Sequence, residues 1–141
     1  MTPRQVELIR GSWTKVEPIA DVASTLFYDR LFELDPTLRR LFRRTDMAQQ
    51  KKLLMQTLTV VVRSLDRLEQ IVPAIQALGR RHAGYGVRAS HYDTVGQALL
   101  WTLGQGLGDG FTPEVQDAWA EAYTVLATVM IDASEVQEAA A

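Results

Sequence analysis

The stretch that decides the fold is Leu78-Gly79-Arg80-Arg81-His82-Ala83-Gly84-Tyr85-Gly86-Val87. Four apolar or aromatic positions leading into it share one helix face, at steps of four, three and four residues: Ile71, Ile75, Leu78 and His82. Gly84 and Gly86 favour a helix end, because glycine readily adopts the left-handed conformation found there. A histidine at the end of such a stripe can coordinate a metal or a haem iron. It can equally be a core residue bonded to the backbone, and this helix alone favours the core interpretation.

The composition is that of one soluble globular domain. The chain has 141 residues, of which 47% are hydrophobic and 23% charged. Its net charge of −2 argues against general nucleic-acid binding, and no apolar run approaches the length of a membrane span. The absence of cysteine excludes disulfides and thiolate metal sites. We therefore expect a single domain over residues 1–141 that acts as a cytoplasmic monomer, without a membrane or nucleic-acid partner.

The charges are distributed unevenly along the chain. A basic segment, interrupted only by Asp46, contains Arg39, Arg40, Arg43, Arg44, Lys51 and Lys52. No basic residue follows Arg88, whereas eight acidic residues do: Asp93, Asp109, Glu114, Asp117, Glu121, Asp132, Glu135 and Glu138. Such runs are usually solvated helix faces. The alternative is a docking surface for an acidic partner, since opposite charge steers association.

Helix start and stop signals predict an all-α domain with six substantial helices and one short helix. The predicted starts are the Thr2-Pro3 cap, about Asp21, Asp35-Pro36 for the short helix, Asp46, about Leu68, a capping box at 90–93, and Thr112-Pro113. Pro73 either begins its helix or kinks it, and the residues from about 132 to 141 are predicted to fray. No segment shows the alternation of a strand.

The second helix carries a polar interruption on its apolar side. Its predicted buried residues are Val22, Leu26, Phe27, Leu31 and Phe32. A buried tyrosine needs a partner for its hydroxyl, so Tyr28 is either half exposed or directed into a polar pocket. Gln50 lies one turn before Leu54 on the apolar face of the next long helix, where a peripheral position is the more common outcome.

Hydrolytic and zinc chemistry find little support in the sequence. There is no cysteine and no Gly-x-Ser-x-Gly motif, and only two histidines could serve as bases. His82 and His91 lie nine residues apart across a glycine break, and neither has a second ligand at helical spacing. The feature that remains to be explained is an apolar interior with one inward-facing histidine and isolated polar residues.

At this point the chain resembles the globin family from Leu8 to Met130. The residues that carry the resemblance are Pro36, Phe42 six positions later, Leu-Gly-Arg-Arg-His at 78–82, Tyr-Gly-Val at 85–87, Tyr92, Ala118-Trp119 and Ala122-Tyr123. It is most similar to bacterial single-domain globins of the Hell's Gate type, to flavohaemoglobin globin domains and to neuroglobin. The resemblance implies a globin fold around a haem b.

The resemblance also implies a role for each pocket residue. His82 matches the proximal ligand of the iron, and Phe42 the phenylalanine that packs on the porphyrin. Gln50 matches the distal position, Leu54 lines the pocket one turn later, and Tyr28 matches the distal tyrosine of the bacterial branch. Donors such as the Tyr28 hydroxyl and the Gln50 amide would stabilise bound oxygen, which carries partial negative charge.

The remaining candidates are less specific. Leu78 is counted with the haem-binding residues, and Val87 and Val95 are either pocket wall or ordinary core. Arg81 either meets a haem propionate or is an exposed arginine at a helix end. Tyr92 matches the proximal tyrosine of flavohaemoglobins.

One departure from the flavohaemoglobin pattern bears on function. In that family a glutamate of the last helix pairs with the proximal histidine; here the slot falls on Val136, beside Glu135. Without that carboxylate the imidazole donates less electron density to the iron.

The resemblance therefore implies a high-affinity oxygen-binding protein, for storage, delivery or scavenging. The alternative is a nitric oxide dioxygenase or related redox enzyme that uses a separate reductase. Oxygen, nitric oxide and carbon monoxide are the expected ligands.

Overall fold

A computed structural model describes the backbone of residues 1–140 and the side chains of residues 1–135. Within them there are six α-helices and no strand: α1 (Pro3–Val16), α2 (Ala20–Leu34), α3 (Met47–Arg63), α4 (Leu68–Gly84), α5 (Ala89–Leu107) and α6 (Pro113–Ala140). Short 3-10 turns occupy Glu17–Ile19, Pro36–Phe42, Leu65–Arg67 and Gly108–Gly110. The all-α prediction is confirmed, with the predicted short helix at Pro36–Phe42.

Four of the predicted helix starts are made by side chains that cap the backbone, the last of them at α6, where the Thr112 hydroxyl accepts the N–H of residue 115 at 3.2 Å. Thr2 and Gln5 form a reciprocal capping box at the start of α1. The Asp35 carboxylate accepts the N–H of Thr37, and the Asp46 carboxylate accepts the N–H groups of residues 48 and 49. Each cap satisfies a donor that the first helical turn leaves free, which explains why these starts were readable from the sequence.

Two details of the helix ends differ from the prediction. The capping box predicted at Ser90 is wrong, because α5 already begins at Ala89. His91 takes that role instead: its Nδ1 accepts the N–H of Arg88 at 2.9 Å. Pro73 lies inside α4, so it does not begin that helix. The helix α6 continues past Asp132 to Ala140, and fraying of its end stays a prediction.

The buried face of α2 keeps Phe27, Leu31 and Phe32 as predicted. It differs at Leu26, which is half-buried, and at Val22. Val22 is 57% exposed, so its predicted burial is wrong. The buried side of α2 consists of Ala23, Ser24, Phe27, Tyr28, Leu31 and Phe32. Small residues allow close helix packing, and the face that includes Ala23 and Ser24 lets α2 pack on α5. The prediction placed Val22 in the core because valine is hydrophobic, but its position on the helix is exposed.

The core is organised by two tryptophans. The rings of Trp13 on α1 and Trp119 on α6 lie 5.8 Å apart. Trp119 Nε1 donates to Ser12 Oγ at 2.8 Å, and Trp13 Nε1 donates to Thr59 Oγ1 on α3 at 3.1 Å. Each indole nitrogen is therefore satisfied although both side chains are buried. These bonds fix α1 against α6 and α3.

In the described chain the helices α3 and α4 do not pack extensively on each other, and we call the space between them the cleft. α4 packs mainly on α6, and α3 packs on α2 and α1. α3 has one fully buried residue, Val62, and α4 has two, Ile75 and Gly79. Most of their remaining large apolar side chains are half-buried, and Leu53 and Val60 are exposed. Among the described residues, none of the helices combines the length and apolar character that a membrane crossing requires.

Candidate functional site

One side of the cleft holds a buried pair of polar side chains. Tyr28 is only 4% exposed, so the half-exposed alternative is wrong. The Gln50 amide donates a hydrogen bond to the Tyr28 hydroxyl oxygen at 3.2 Å. A lone glutamine is more often peripheral, but Gln50 is half-buried and lies beside Tyr28. The helices α2 and α3 thus bring together two residues that are 22 positions apart.

The Tyr28 hydroxyl is kept as a hydrogen-bond donor. Burial raises the pKa of Tyr28, and the hydrogen bond from Gln50 opposes that shift only in part. The phenol is therefore protonated at neutral pH. Because Gln50 occupies an oxygen lone pair, the O–H proton of Tyr28 is free to donate to a third group in the pocket.

Aromatic rings surround this polar pair. Phe42 meets Tyr28 edge-on, with ring centroids 5.6 Å apart, and meets Phe32 in the same way at 5.5 Å. Phe27 packs edge-on against Tyr28 from another side, at 5.0 Å. Phe42 itself is only half-buried, so part of its ring faces the cleft. This apolar frame lowers the local dielectric and strengthens any hydrogen bond that Tyr28 donates.

His82 lies on the other side of the cleft, in the last turn of α4. Its Nδ1 donates to the carbonyl of Leu78 at 2.8 Å, because a carbonyl can only accept. Burial lowers the pKa of His82; the Leu78 carbonyl opposes this shift and Arg81 adds to it. The imidazole is therefore neutral near pH 7, and its Nε2 lone pair is available to a metal. No cluster of three or more His, Cys, Asp or Glu suited to a metal occurs in the described residues, so His82 would act as a single protein ligand.

Gly79 sets the position of α4. An added Cβ at Gly79 would lie 2.5 Å from the Met130 carbonyl oxygen, closer than any real contact. The two helix backbones therefore touch at this point, one turn before His82. The sequence analysis missed this role. The available signal was a glycine inside a helix, where it costs stability unless close packing requires it.

The two sides of the cleft meet at its edge. Gly86 has φ +93°, as expected for a glycine that ends a helix, and a Cβ there would lie 3.5 Å from Leu41 Cδ2. The 3-10 helix that carries Phe42 therefore lies against the corner that follows His82. Leu41 was not among the predicted site residues, and its apolar position next to Phe42 was the only signal.

The other predicted residues divide by burial. Leu54, Leu78, Val87 and Val95 are all half-buried, and Leu54 and Val95 pack on the core. Arg81 is exposed, so both of its interpretations stay open. Tyr92 is buried, and its hydroxyl has no hydrogen-bond partner among the described side chains. Its carbonyl accepts from the Tyr123 hydroxyl at 2.6 Å.

The α6 face that meets α4 presents no carboxylate in its described part. Met130 marks that face, and Ser134, one turn later, is half-buried with its hydroxyl bonded to the Ile131 carbonyl. Glu135 is exposed, and the side chain of Val136 lies outside the described residues. Nothing in this part of the chain therefore supplies a charged partner to His82.

These features fit a haem. The neutral imidazole of His82 offers Nε2, and the buried Tyr92 hydroxyl is left without a partner. Leu54, Leu78, Val87 and Val95 are only half-buried, as expected if an apolar group covers the rest of their surface. A surface depression of about 980 Å³ lies elsewhere, between α1 and the start of α4, and holds none of the predicted residues.

Comparison with known proteins decides the family, because the Globin family model matches residues 25–130. The chain is a globin. This globin is 29% identical to the flavohemoprotein of Bacillus subtilis over 130 residues, covering 91% of this chain and 33% of that protein. It is 28% identical to the flavohemoprotein of Vibrio cholerae over 134 residues, covering 94% of this chain and 34% of that protein. The chain thus spans about a third of the length of these curated relatives.

Solved structures agree with the globin fold. An engineered carbene transferase, derived from a proposed nitric oxide dioxygenase of Rhodothermus marinus, superposes with a TM-score of 0.89 at 28% identity, covering 99% of this chain and 97% of the other. A Campylobacter jejuni globin gives 0.84 at 22% identity, with 97% and 99% covered. A tardigrade heme protein gives 0.85 at 15% identity, with 96% of each chain covered. The predicted globin fold is confirmed, and haem is the cofactor of this family member.

Proposed function

We propose that this globin is a haem-based oxygen-binding protein with high oxygen affinity. The observation that carries the proposal is the buried Tyr28–Gln50 pair, whose free O–H proton points to recognition of an electron-rich ligand. We further propose that this domain acts as a monomer in the cytoplasm.

Each residue contributes one property to this function. Haem, when bound, supplies the iron at which a diatomic ligand coordinates. His82 would hold that iron through Nε2, with its ring orientation fixed by the Leu78 carbonyl. Phe42 and Leu54 would cover the cofactor and keep water from the ligand, with Leu78, Val87, Tyr92 and Val95 as further wall residues. Arg81 would face a propionate.

Hydrogen bonding by Tyr28 and Gln50 would slow ligand release. In a site with few competing water molecules, a hydrogen bond to a charged acceptor contributes about 1.5–3 kcal/mol. Carbon monoxide accumulates less charge than oxygen, so the same donors would discriminate in favour of oxygen.

The Tyr28→Phe variant tests this role. We expect its oxygen dissociation rate, measured by stopped-flow displacement of oxygen with carbon monoxide, to rise by about ten- to hundredfold, the equivalent of the lost hydrogen bond. Tyr123→Phe is the matched control, because it removes the hydroxyl of a tyrosine that bonds to a backbone carbonyl of α5. An unchanged rate in Tyr28→Phe would show that Tyr28 has no such role.

The second candidate is a nitric oxide dioxygenase that uses a separate reductase. It is favoured by the similarity to flavohemoproteins and to the proposed dioxygenase of Rhodothermus marinus. The absence of a carboxylate on the described α6 face argues for oxygen binding instead. Nitric oxide consumption by the oxygenated protein with an added reductase separates the two functions. A rate of nitric oxide consumption no higher than that of myoglobin under the same conditions would exclude the enzymatic function.

A further inference from the structure

Seven exposed arginines lie on the two segments that meet at the edge of the cleft. We call them the cationic rim: Arg39, Arg40, Arg43, Arg44, Arg80, Arg81 and Arg88. The first four belong to Pro36–Phe42 and the turn after it, and the other three to the end of α4 and the residue before α5. The contact between Leu41 and Gly86 joins these segments. The rim therefore combines four of the six residues of the basic segment seen in the sequence with a second group about 40 residues away in the chain.

None of the rim arginines is neutralised by a carboxylate in the described part of the molecule. The five ion pairs found there use Arg4, Arg10, Arg30 and Arg67, all outside the rim. The nearest carboxylates in the sequence, Asp35 and Asp46, accept backbone N–H groups at helix starts. Even if the two carboxylates of a haem engaged two arginines, five would be left unpaired.

Aromatic side chains lead from the rim towards the cofactor site. Tyr85 is 66% exposed, and its ring lies 6.3 Å from that of His82. The guanidinium of Arg39 lies over the Phe32 ring at 4.8 Å, and Phe32 in turn packs on Phe42. A partner seated on the rim would thus be close to both sides of the cleft. An exposed aromatic surrounded by arginines is also the composition found at the centres of protein interfaces.

We propose that the cationic rim docks an acidic flavin-carrying redox protein that reduces the ferric haem. This proposal rests on the proposed function, because only a haem in the cleft gives the docked partner an acceptor. The reduced flavin of the donor loses one electron and the ferric iron gains it, and no bond forms or breaks. A protein partner is favoured over an extended polyanion, because the chain as a whole carries a net charge of −2 and seven of the eight arginines without an ion pair in the described structure lie in the rim.

The test measures binding and reduction of the ferric holoprotein. Oxidised flavodoxin, an acidic flavin protein, serves as the probe for binding by calorimetry, and photoreduced flavodoxin serves as the electron donor in stopped-flow experiments. We expect binding and the bimolecular reduction rate to fall at least about tenfold between about 20 and 200 mM salt. The double variant Arg43→Glu, Arg44→Glu should lose about tenfold in both quantities at low salt.

The matched control is Lys15→Glu, Arg63→Glu. These two residues are exposed, unpaired in the described structure and outside the rim, and the double variant reaches the same formal net charge of −6, since each substitution subtracts two from −2. It should bind flavodoxin within about twofold of the parent protein. Equal losses in both variants would mean that only net charge matters, and would overturn the proposal.

Two further measurements separate the alternatives. Photoreduced riboflavin, a small donor that needs no docking surface, should reduce all variants at rates within about twofold, and oxygen added afterwards tests the proposed function independently of the rim. Sedimentation with phosphatidylglycerol vesicles tests an anionic membrane as the partner. Vesicle binding that depends on Arg43 and Arg44, together with unchanged flavodoxin reduction, would assign the rim to lipid and contradict the docking of a redox protein.

Discussion

Three tyrosine hydroxyls in low-polarity surroundings differ in their hydrogen bonding. Tyr28 accepts from Gln50 and its own proton stays free, whereas Tyr123 donates its proton to the Tyr92 carbonyl. Tyr92 has no partner for its own hydroxyl among the described residues. The residue type alone therefore does not decide the role, and the neighbours brought in by other helices do.

Tyr123 should make stability depend on alkaline pH. Burial, together with the nearby Tyr92 and Asp93, raises the pKa of Tyr123 well above its ordinary value of 10.0. The unfolded chain thus loses this proton above pH 10 while the folded protein keeps it. The contribution to stability is fully present below pH 10 and falls as pH rises further, by about 1.4 kcal/mol per pH unit.

The Tyr123→Phe variant isolates this effect. It should cost about 1 kcal/mol at pH 8 through the lost hydrogen bond, and lose less stability than the parent above pH 10. Urea unfolding of the two proteins at pH 8, 10 and 11 measures the difference. Parallel stability curves across this range would contradict the assignment.

At the residue scale, sequence reasoning identified Tyr28 and Gln50 but could not pair them. Tyr28 interrupts an apolar stripe, which signals a polar environment without saying which residue supplies it. The partner is on α3, and the rotation of α3 relative to α2 depends on packing that the local pattern does not contain. The resemblance to the globin family, and not the local pattern, assigned both residues to the distal side of the pocket.

At the scale of elements, one glycine fixes how closely α4 approaches α6. The backbone contact between Gly79 and Met130 leaves no space for a methyl group. Gly79→Ala should therefore push α4 away, destabilise the protein by about 1–3 kcal/mol and displace His82. Haem loss to excess apomyoglobin, followed in the Soret region, should become roughly tenfold faster.

Gly11→Ala provides the control for this substitution. Gly11 lies inside α1, and an added Cβ would meet no atom within 4 Å. Alanine there should raise stability by about 0.5–1 kcal/mol, because it is a better helix former, and leave haem loss unchanged. Equal behaviour of the two variants would show that the contact of α4 with α6 does not position the histidine.

Helix starts were predictable where a side chain makes the cap. The Thr2, Asp35 and Asp46 caps act within three residues, so their signal is local. The start of α5 was misplaced because a histidine, and not Ser90, meets the free N–H. The face of α2 was misjudged at Val22 for a different reason: the contact with α5 selects small residues over apolar ones.

At the scale of the whole molecule, the six-helix architecture followed from periodicity and caps, but the helix contacts did not. The Trp119–Ser12 bond joins residues 107 positions apart, and no local pattern indicates it. The cleft between α3 and α4 is likewise a property of which helices pack together. The haem site therefore depends on which helices pack together.

Removal of the haem should affect the helices unequally. α3 and α4 bury few residues of their own, whereas α1, α5 and α6 each contribute several residues to the buried core. In the apoprotein we expect amide exchange in α3 and α4 to report local opening free energies of about 0–2 kcal/mol, while α1, α5 and α6 stay protected. Hydrogen-exchange mass spectrometry of both forms measures this. Uniform loss of protection along the chain would contradict an independent core.

The incomplete packing of α3 against α4 also has a consequence in the cell. A freshly synthesised chain would present two loosened helices to proteases until its cofactor arrives, since cleavage follows the population of locally open states. Cofactor uptake would close that route, because a ligand that binds only the folded form removes open states by mass action. The abundance of this globin should therefore rise and fall with haem supply at a constant rate of translation.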